Sequence, residues 1–130
     1  SPEGLQHDAP HRYSQPDTLP LHHWALEGGW QVSKQHITAQ QADASLKLHF
    51  MAGNVFLVMG TQNGEPIETT ITLNGEPLSV GAGEDVTNGM LTVNEHRMYR
   101  LVEQDAVKEG VLEIKASQPG LEAYAFTFGR

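Results

Sequence analysis

The residues of this sequence that could carry chemistry are, first, its histidines. Seven are present, and the adjacent pair His22 and His23 points to opposite faces of an extended chain, so the two do not readily share a metal ion. His7 and His11 have the spacing of two ligands on one helix face, but Pro10 lies between them in a segment that cannot be helical. Exposed polar histidines are therefore favoured over a transition-metal site.

Two adjacent acids, Glu84 and Asp85, are the other candidates for holding a cation. They end the Gly-rich stretch 81–85, where carboxylates and neighbouring backbone carbonyls could bind calcium. Adjacent side chains seldom converge on one point, however, and the spacing of an EF-hand is absent. The favoured interpretation is a flexible, solvated acidic loop, with a structural calcium at Glu84 and Asp85 as the alternative.

Catalytic groups do not form a recognisable set. The chain has no cysteine, which excludes thiol catalysis, disulfides and thiolate metal sites in this segment. No nucleophile elbow, phosphate-binding loop, zinc-protease motif or dinucleotide fingerprint occurs. Among the 16 acids nothing singles out a pair for glycoside hydrolysis. We therefore expect a non-catalytic domain that needs no cofactor and that binds or docks.

Aromatic residues are the remaining candidates, because an exposed ring can stack on the apolar face of a sugar. The candidate ligand-binding residues are Tyr13, Tyr99 and Trp30. Tyrosine is often half exposed, whereas core packing is the favoured role of Trp30 and also of Trp24, which we expect to anchor the chain as it leaves a proline-rich segment. Phe50, Phe126 and Phe128 alternate along their strands and are predicted to lie in the core.

The net charge of the chain limits the classes of partner that it can bind. Sixteen acids against eight bases give a net charge of −8, and no basic cluster overrides it. Nucleic acid and anionic lipid are therefore unfavourable partners. The longest unbroken apolar run, residues 55–59, is too short to insert into a membrane. The opening residues 1–4 have neither a basic start nor an apolar stretch, so we expect no signal peptide there and a fragment of a longer chain.

Alternation of apolar and polar residues predicts the elements that position these side chains. Residues 44–50 alternate cleanly, which places His49 on the polar face, where a solvated side chain is expected. A turn is predicted at residues 53–54. The apolar run 55–59 then predicts a strand buried on both sides.

Five more strands are predicted further along the chain, at residues 67–73, 90–93, 97–102, 111–116 and 122–128. Asn74 and Gly75 are typical of a hairpin. The one helical candidate, residues 101–108, lacks a good N-cap and contains β-branched residues, so it is not favoured. About eight short strands separated by regular turns predict an all-β fold, a two-sheet β-sandwich of the jelly-roll type.

The first part of the chain differs from the rest. Residues 1–20 contain four of the seven prolines and few apolar residues, which is typical of a linker or an extended arm. We therefore divide the chain into a linker or arm at residues 1–17 and a β-sandwich domain at residues 18–130.

Four blocks resemble a known family in the same order: LPLHHWALEGGW at 19–30, FLVMG at 56–60, RMYRL at 97–101 and PGLEAYAFTFG at 119–129. Together they resemble the C-terminal domain that follows the thioredoxin-like domain in DipZ-type proteins. Those are thiol–disulfide reductases of the bacterial cell envelope, akin to the cytochrome c biogenesis group. The resemblance covers about residues 18–129, and Gly29 departs from it where relatives usually carry an acid.

This resemblance implies a β-sandwich similar to carbohydrate-binding modules, located in the periplasm or elsewhere outside the cytoplasmic membrane. It implies that the redox cysteines belong to an upstream thioredoxin-like domain, with residues 1–17 as the connector. Two hypotheses follow for the domain itself. It is either a weak carbohydrate-binding module or a structural β-sandwich that docks a protein partner and has no sugar ligand.

The absence of thiols gives a first prediction. The domain by itself should not accelerate the reduction of insulin by dithiothreitol above the buffer blank, because no side chain of this segment can enter thiol–disulfide exchange. A longer chain that includes an upstream thioredoxin-like domain should be active in the same assay. A reproducible acceleration by the isolated domain would contradict the prediction.

Overall fold

The alternating patterns form antiparallel β-strands in the computed structural model, which describes residues 10–13, 19 and 21–130. Within those residues every regular element is a strand. In chain order they are β1 (Pro10–Tyr13), β2 (Trp24–Val32), β3 (Ile37–Ala39), β4 (Ser45–Thr61), β5 (Ile67–Leu73), β6 (Glu76–Pro77), β7 (Met90–Val93), β8 (Arg97–Ala116) and β9 (Leu121–Gly129). The prediction of an all-β fold is confirmed.

Strands β4 and β8 form the longest pair, and its register shifts at two points, at Gly53 and between Val55 and Phe56. Residues 45–52 pair with residues 108–115, and residues 54–59 pair with residues 97–103. Gly53 alone therefore stands opposite residues 104–107. A bulge of this kind bends strands and increases their twist.

The two halves of β4 have different neighbours on either side of this bulge. The first half pairs with β2 on one edge, and β8 on its other edge pairs in turn with β5. The second half pairs with β9. One continuous network of paired strands can in this way supply both layers of a sandwich. The predicted β-sandwich, similar to carbohydrate-binding modules, is the fold of this chain.

The predicted turn at residues 53–54 is wrong, because β4 runs through it. Gly53 is needed there for a different reason: a Cβ atom at this position would lie 2.7 Å from the carbonyl carbon of Arg130. The predicted strands 97–102 and 111–116 are likewise two parts of β8, and the unfavoured helix at 101–108 is part of the same strand. Glycine marks a close backbone approach within a strand as readily as it marks a turn.

Strand β2 closes a ring with three other strands. Its first part pairs with β4 and its last part with β3, while β3 pairs with β9 and β9 returns to β4. Alternating residues of these strands point into the ring, where Leu26, Leu46, Leu48 and Leu57 are buried. The ring is the frame of the candidate site described below.

The predicted N-terminal arm is described only in part. Residues 10–13 form β1, which pairs with residues 28–31 of β2 and so adds one strand to that edge. Gly28, opposite Tyr13, has a φ of 88°, a conformation that glycine adopts without strain. The other residues of the predicted arm at 1–17 lie outside the described residues.

His49 is not solvated as predicted, because both of its ring nitrogens have partners. Nδ1 lies 2.7 Å from the carbonyl oxygen of Leu19, and Nε2 lies 2.6 Å from a carboxylate oxygen of Glu109. Both partners are acceptors, so only the doubly protonated imidazolium can donate to each of them. The Leu19 carbonyl and then the Glu109 carboxylate raise the pKa of His49, against the opposing effect of burial.

This arrangement predicts a pH-dependent stability. Because the folded-state pKa of His49 is raised above its unfolded value near 6.5, its contribution is fully present below about pH 6.5 and is lost as the pH rises through the folded-state pKa. Urea denaturation at several pH values should show that the wild type loses stability relative to His49→Gln as the pH rises from about 6.5 through the folded-state pKa of His49. When Glu109→Gln is introduced into both proteins, the difference between them should shrink. When His23→Gln, at an exposed histidine, is introduced into both, the difference should remain. Parallel profiles for wild type and His49→Gln would contradict the prediction.

Candidate functional site

An open groove of about 430 Å³ is lined by all four strands of the ring and by the turn at residues 33–36. Its floor is apolar and consists of Val32, Ile37, Leu46, Leu48, Leu57 and Ala123. These residues are buried, so the floor is a continuation of the core. The groove is therefore held by the same packing that stabilises the sandwich, and it exists before any ligand arrives.

Aromatic side chains line the rim of the groove. Trp24 comes from the start of β2, and Tyr124, Phe126 and Phe128 come from β9. Trp24 is 38% exposed and Phe128 is 46% exposed. The rings of Phe126 and Phe128 lie nearly parallel, 6.2 Å apart. Large apolar rings that remain exposed around a concave surface are typical of a binding site.

A bulge in β9 directs these rings. Along β4, Leu57 and Met59 are two positions apart, whereas their partners Phe126 and Ala123 are three positions apart. Because side chains along a strand alternate between the two faces of the sheet, the extra residue reverses which residues of β9 face the core. Ala123 is therefore buried before the bulge, and Phe126 packs against the core after it.

Tyr124 is fixed at the bulge by contacts on several sides. Its ring stacks on His36 at a centroid distance of 4.9 Å and meets His96 edge-on at 4.5 Å. Its hydroxyl donates to Glu122 at 3.2 Å. Burial, followed by the nearby Glu122 carboxylate, raises the pKa of Tyr124. The phenol therefore stays neutral and held in place, which lowers the entropy cost of contacting a ligand.

Two of the predicted ligand-binding residues are instead part of the core. Trp30 is fully buried, and its indole nitrogen donates to the carbonyl oxygen of Glu27 at 3.0 Å. Tyr99 is 1% exposed; its hydroxyl donates to the carbonyl oxygen of Glu95 at 2.7 Å and accepts from the backbone N–H of Asn94 at 3.0 Å. Neither ring can reach a surface ligand, so both assignments are corrected to structural roles.

Tyr13, the third predicted ligand-binding residue, is described only by its backbone, which belongs to β1 and lies opposite Gly28. The position of its side chain lies outside the described residues. Its role remains a prediction.

Asp85 is engaged by basic partners in the loop where calcium was the alternative. One carboxylate oxygen accepts from Arg97 at 2.9 Å, and the other accepts from the backbone N–H of Arg100 at 2.7 Å. Burial alone would raise the pKa of Asp85, but the hydrogen bonds from Arg97 and Arg100 outweigh it, so the pKa is lowered. A cation at Asp85 would have to displace the Arg97 guanidinium.

Glu84 lies with a carboxylate oxygen 3.7 Å from the Arg100 guanidinium, and its side chain is 75% exposed. The loop is tied to β8 rather than free, because Gly83 approaches so closely that a Cβ atom would meet the carbonyl oxygen of Arg100 at 2.2 Å. Across residues 10–13, 19 and 21–130, no group of three or more His, Cys, Asp or Glu side chains is placed to hold a metal ion.

Sequence reasoning missed the residues that form the groove. Trp24 and Phe128 were predicted to lie in the core, and both are exposed at the rim. A usable signal was present, since residues 124, 126 and 128 place three rings on one face of a strand near the end of the chain. Alternation alone predicted which rings share a face, but the bulge decides where that face points.

Comparison with known families gives the class of this chain. The family described as the thioredoxin like C-terminal domain matches residues 1–129. The chain therefore belongs to this family, as the resemblance in its sequence indicated. The match also includes the predicted arm at residues 1–17.

Two curated relatives are each named Protein DipZ, one from Mycobacterium bovis and one from Mycobacterium tuberculosis. Each is 26% identical to this chain over 117 residues, which is 90% of the chain and 15% of the relative. The chain thus spans about 15% of the length of these relatives. In the part of the chain that the structure describes, no helix is long and apolar enough to cross a membrane.

Solved structures with the same fold include two family two carbohydrate esterases. The enzyme from Clostridium thermocellum, solved in complex with cellohexaose, gives a TM-score of 0.57 at 16% identity and covers 73% of this chain and 27% of its own. The enzyme from Cellvibrio japonicus gives a TM-score of 0.57 at 12% identity and covers 94% of this chain and 35% of its own. At these identities the likeness is one of fold.

The two tryptophans should respond differently to truncation. Trp30→Ala removes a fully buried ring and should cost about 3–5 kcal/mol of unfolding free energy. Trp24→Ala removes a ring that is 38% exposed, and it should cost no more than roughly 1–2 kcal/mol. Urea denaturation of both variants tests this. Equal losses would mean that Trp24 belongs to the core and is not available in the groove.

Proposed function

We propose that this domain is a non-catalytic carbohydrate-binding module and that a sugar ring binds in the groove against Trp24 and Phe128. The observation that carries the proposal is the pair of exposed rings on a preformed apolar groove. Ring faces of a pyranose carry C–H groups that pack against an aromatic surface, while the hydroxyls need polar neighbours. Ser33, Gln35 and His36 supply such neighbours along one side of the groove.

The affinity expected for such a site is modest. Sugar hydroxyls already bond well to water, so each protein–sugar hydrogen bond gains only about 0.5–1.5 kcal/mol. A stacked ring adds a contribution of similar size. Together these contributions give dissociation constants of roughly 10 μM to 1 mM. The carbohydrate esterase of the same fold that was solved with cellohexaose supports sugars as the class of ligand.

The rest of the parent protein supplies the redox chemistry in this proposal. Residues 1–17 connect the domain to an upstream thioredoxin-like domain, and the protein works as a thiol–disulfide oxidoreductase in the periplasm or cell envelope. Support comes from the family match and from relatives more than six times longer than the aligned segment. The pairing of β1 with β2 supports an arm that is attached to the sandwich along part of its length.

A second function is favoured by a neighbouring surface. Met51 and Val107 are about half exposed and lie with Phe128 around a smaller depression next to the groove. An apolar patch of this kind is typical of protein docking. In this alternative the domain has no sugar ligand and instead contacts its thioredoxin-like neighbour or another protein.

An NMR titration separates the two functions. Neutral cello-oligosaccharides and uronic-acid oligosaccharides, added to the ¹⁵N-labelled domain at up to millimolar concentration, should shift signals of Trp24, Phe128 and the turn at residues 33–36. Trp24→Ala and Phe128→Ala should each weaken binding about fivefold, the equivalent of about 1 kcal/mol. Met98→Ala, which removes a side chain of comparable exposure outside the groove, is the matched control.

An absence of chemical-shift changes would contradict the proposal. If no sugar produces shifts at millimolar concentration, carbohydrate binding is excluded at the expected affinity. Shifts around Met51 and Val107 on addition of a thioredoxin-like domain would then establish the docking function.

A further inference from the structure

The groove differs in charge from the rest of the protein. The chain has 16 acids and eight lysines and arginines, with a net charge of −8. Yet the described residues that line the groove include Lys34, His22 and His36 and no aspartate or glutamate. A site for a neutral ligand has no need of this distribution, whereas a site for an anion does, because the acidic surface would otherwise repel it.

Lys34 is placed at the tip of the turn that joins β2 to β3. The backbone N–H of Ser33 donates to the carbonyl oxygen of His36 at 2.9 Å and closes this turn beside the groove. Lys34 is exposed, and none of the ion pairs among the described residues includes it. Its ammonium group can therefore pair with a ligand without breaking an existing contact.

Glu122, which precedes the groove-lining residues of β9, is already engaged. Glu122 lies with one carboxylate oxygen 3.5 Å from His36 and with the other 3.2 Å from the Tyr124 hydroxyl. His36 and the Tyr124 hydroxyl therefore already share this carboxylate as a partner. Among the described lining residues, Lys34 carries the permanent positive charge, and His22 is a second basic side chain.

We infer that the groove selects a sugar that carries a carboxylate, as a uronic acid does, over the neutral sugar with the same ring. The pyranose ring stacks on Trp24 and Phe128, and the carboxylate pairs with Lys34. The inference rests on the proposed carbohydrate-binding function and adds to it the chemical class of the ligand.

The size of the preference follows from the exposure of the pair. A solvent-exposed ion pair contributes modestly, which corresponds to a preference of about three- to fivefold at low salt. The preference should fall towards unity at about 1 M NaCl, where the screening length is roughly 3 Å. Stacking is not screened, so the affinity for the neutral sugar should change little over the same range.

The experiment compares methyl β-D-glucuronide with methyl β-D-glucoside, which share the ring and differ in the carboxylate. Chemical-shift titrations of the wild type at low salt should give a dissociation constant about three- to fivefold lower for the glucuronide. Lys34→Gln should bring the dissociation constants of the two ligands to about the same value. Lys115→Gln, with the same change of net charge outside the groove lining, should keep the difference.

Each contrary outcome has a distinct meaning. Equal binding of the two ligands, or tighter binding of the glucoside, overturns the anionic specificity and leaves the proposed function standing. A preference that survives Lys34→Gln also overturns the inference, because the cation assigned to the carboxylate would not be responsible. Absence of binding by either sugar at millimolar concentration overturns the proposed function and the inference with it.

Discussion

At Gly53 a single residue of β4 stands opposite four residues of β8, and the backbone of Arg130 lies against the glycine where any side chain would be. This crowded point is where the longest strand pair passes from one set of neighbours to another. The bulge lies between the stretch of β4 that pairs with β2 and the stretch that pairs with β9, so it sets the angle between these two pairings. The ring of strands and the groove within it depend on that local irregularity.

The groove shows how a binding surface can be formed without a dedicated loop. Its floor is the edge of the core, and its rim is a strand whose register slips by one residue at Tyr124. The same side chains therefore serve folding and recognition. Tyr124 is held by His36, His96 and Glu122 on its protein side, which leaves the aromatic rim ordered before a ligand is present.

Periodicity was sufficient to predict the fold class and most strands, since Leu46, Leu48 and Phe50 are buried on the face that alternation assigns to them. It failed where a long-range contact decides the local structure. Gly53 is read as a turn residue until the position of Arg130, 77 residues further along the chain, is known. His49 likewise lies on the polar face as expected, but its partners Leu19 and Glu109 come from distant segments.

The site was less predictable than the fold, for a related reason. Residue type indicated that an aromatic residue would be involved, but exposure depends on how the strands close. Trp30 and Tyr99 became core residues, whereas Trp24 and Phe128 were left at the surface. Asp85 was a candidate metal ligand until Arg97 was seen to occupy its carboxylate. Composition still set a limit, because a segment without cysteine cannot itself carry out thiol chemistry.

Because the two tryptophans differ in exposure, the intrinsic fluorescence of the domain can be used to follow it without a label. Trp30 is sealed in the interior, so its emission should lie at shorter wavelength and be shielded from a collisional quencher. Trp24 faces the groove and is accessible to water and solutes. Two fluorophores in one unlabelled chain thus report on different events, one on the integrity of the interior and the other on occupancy of the surface.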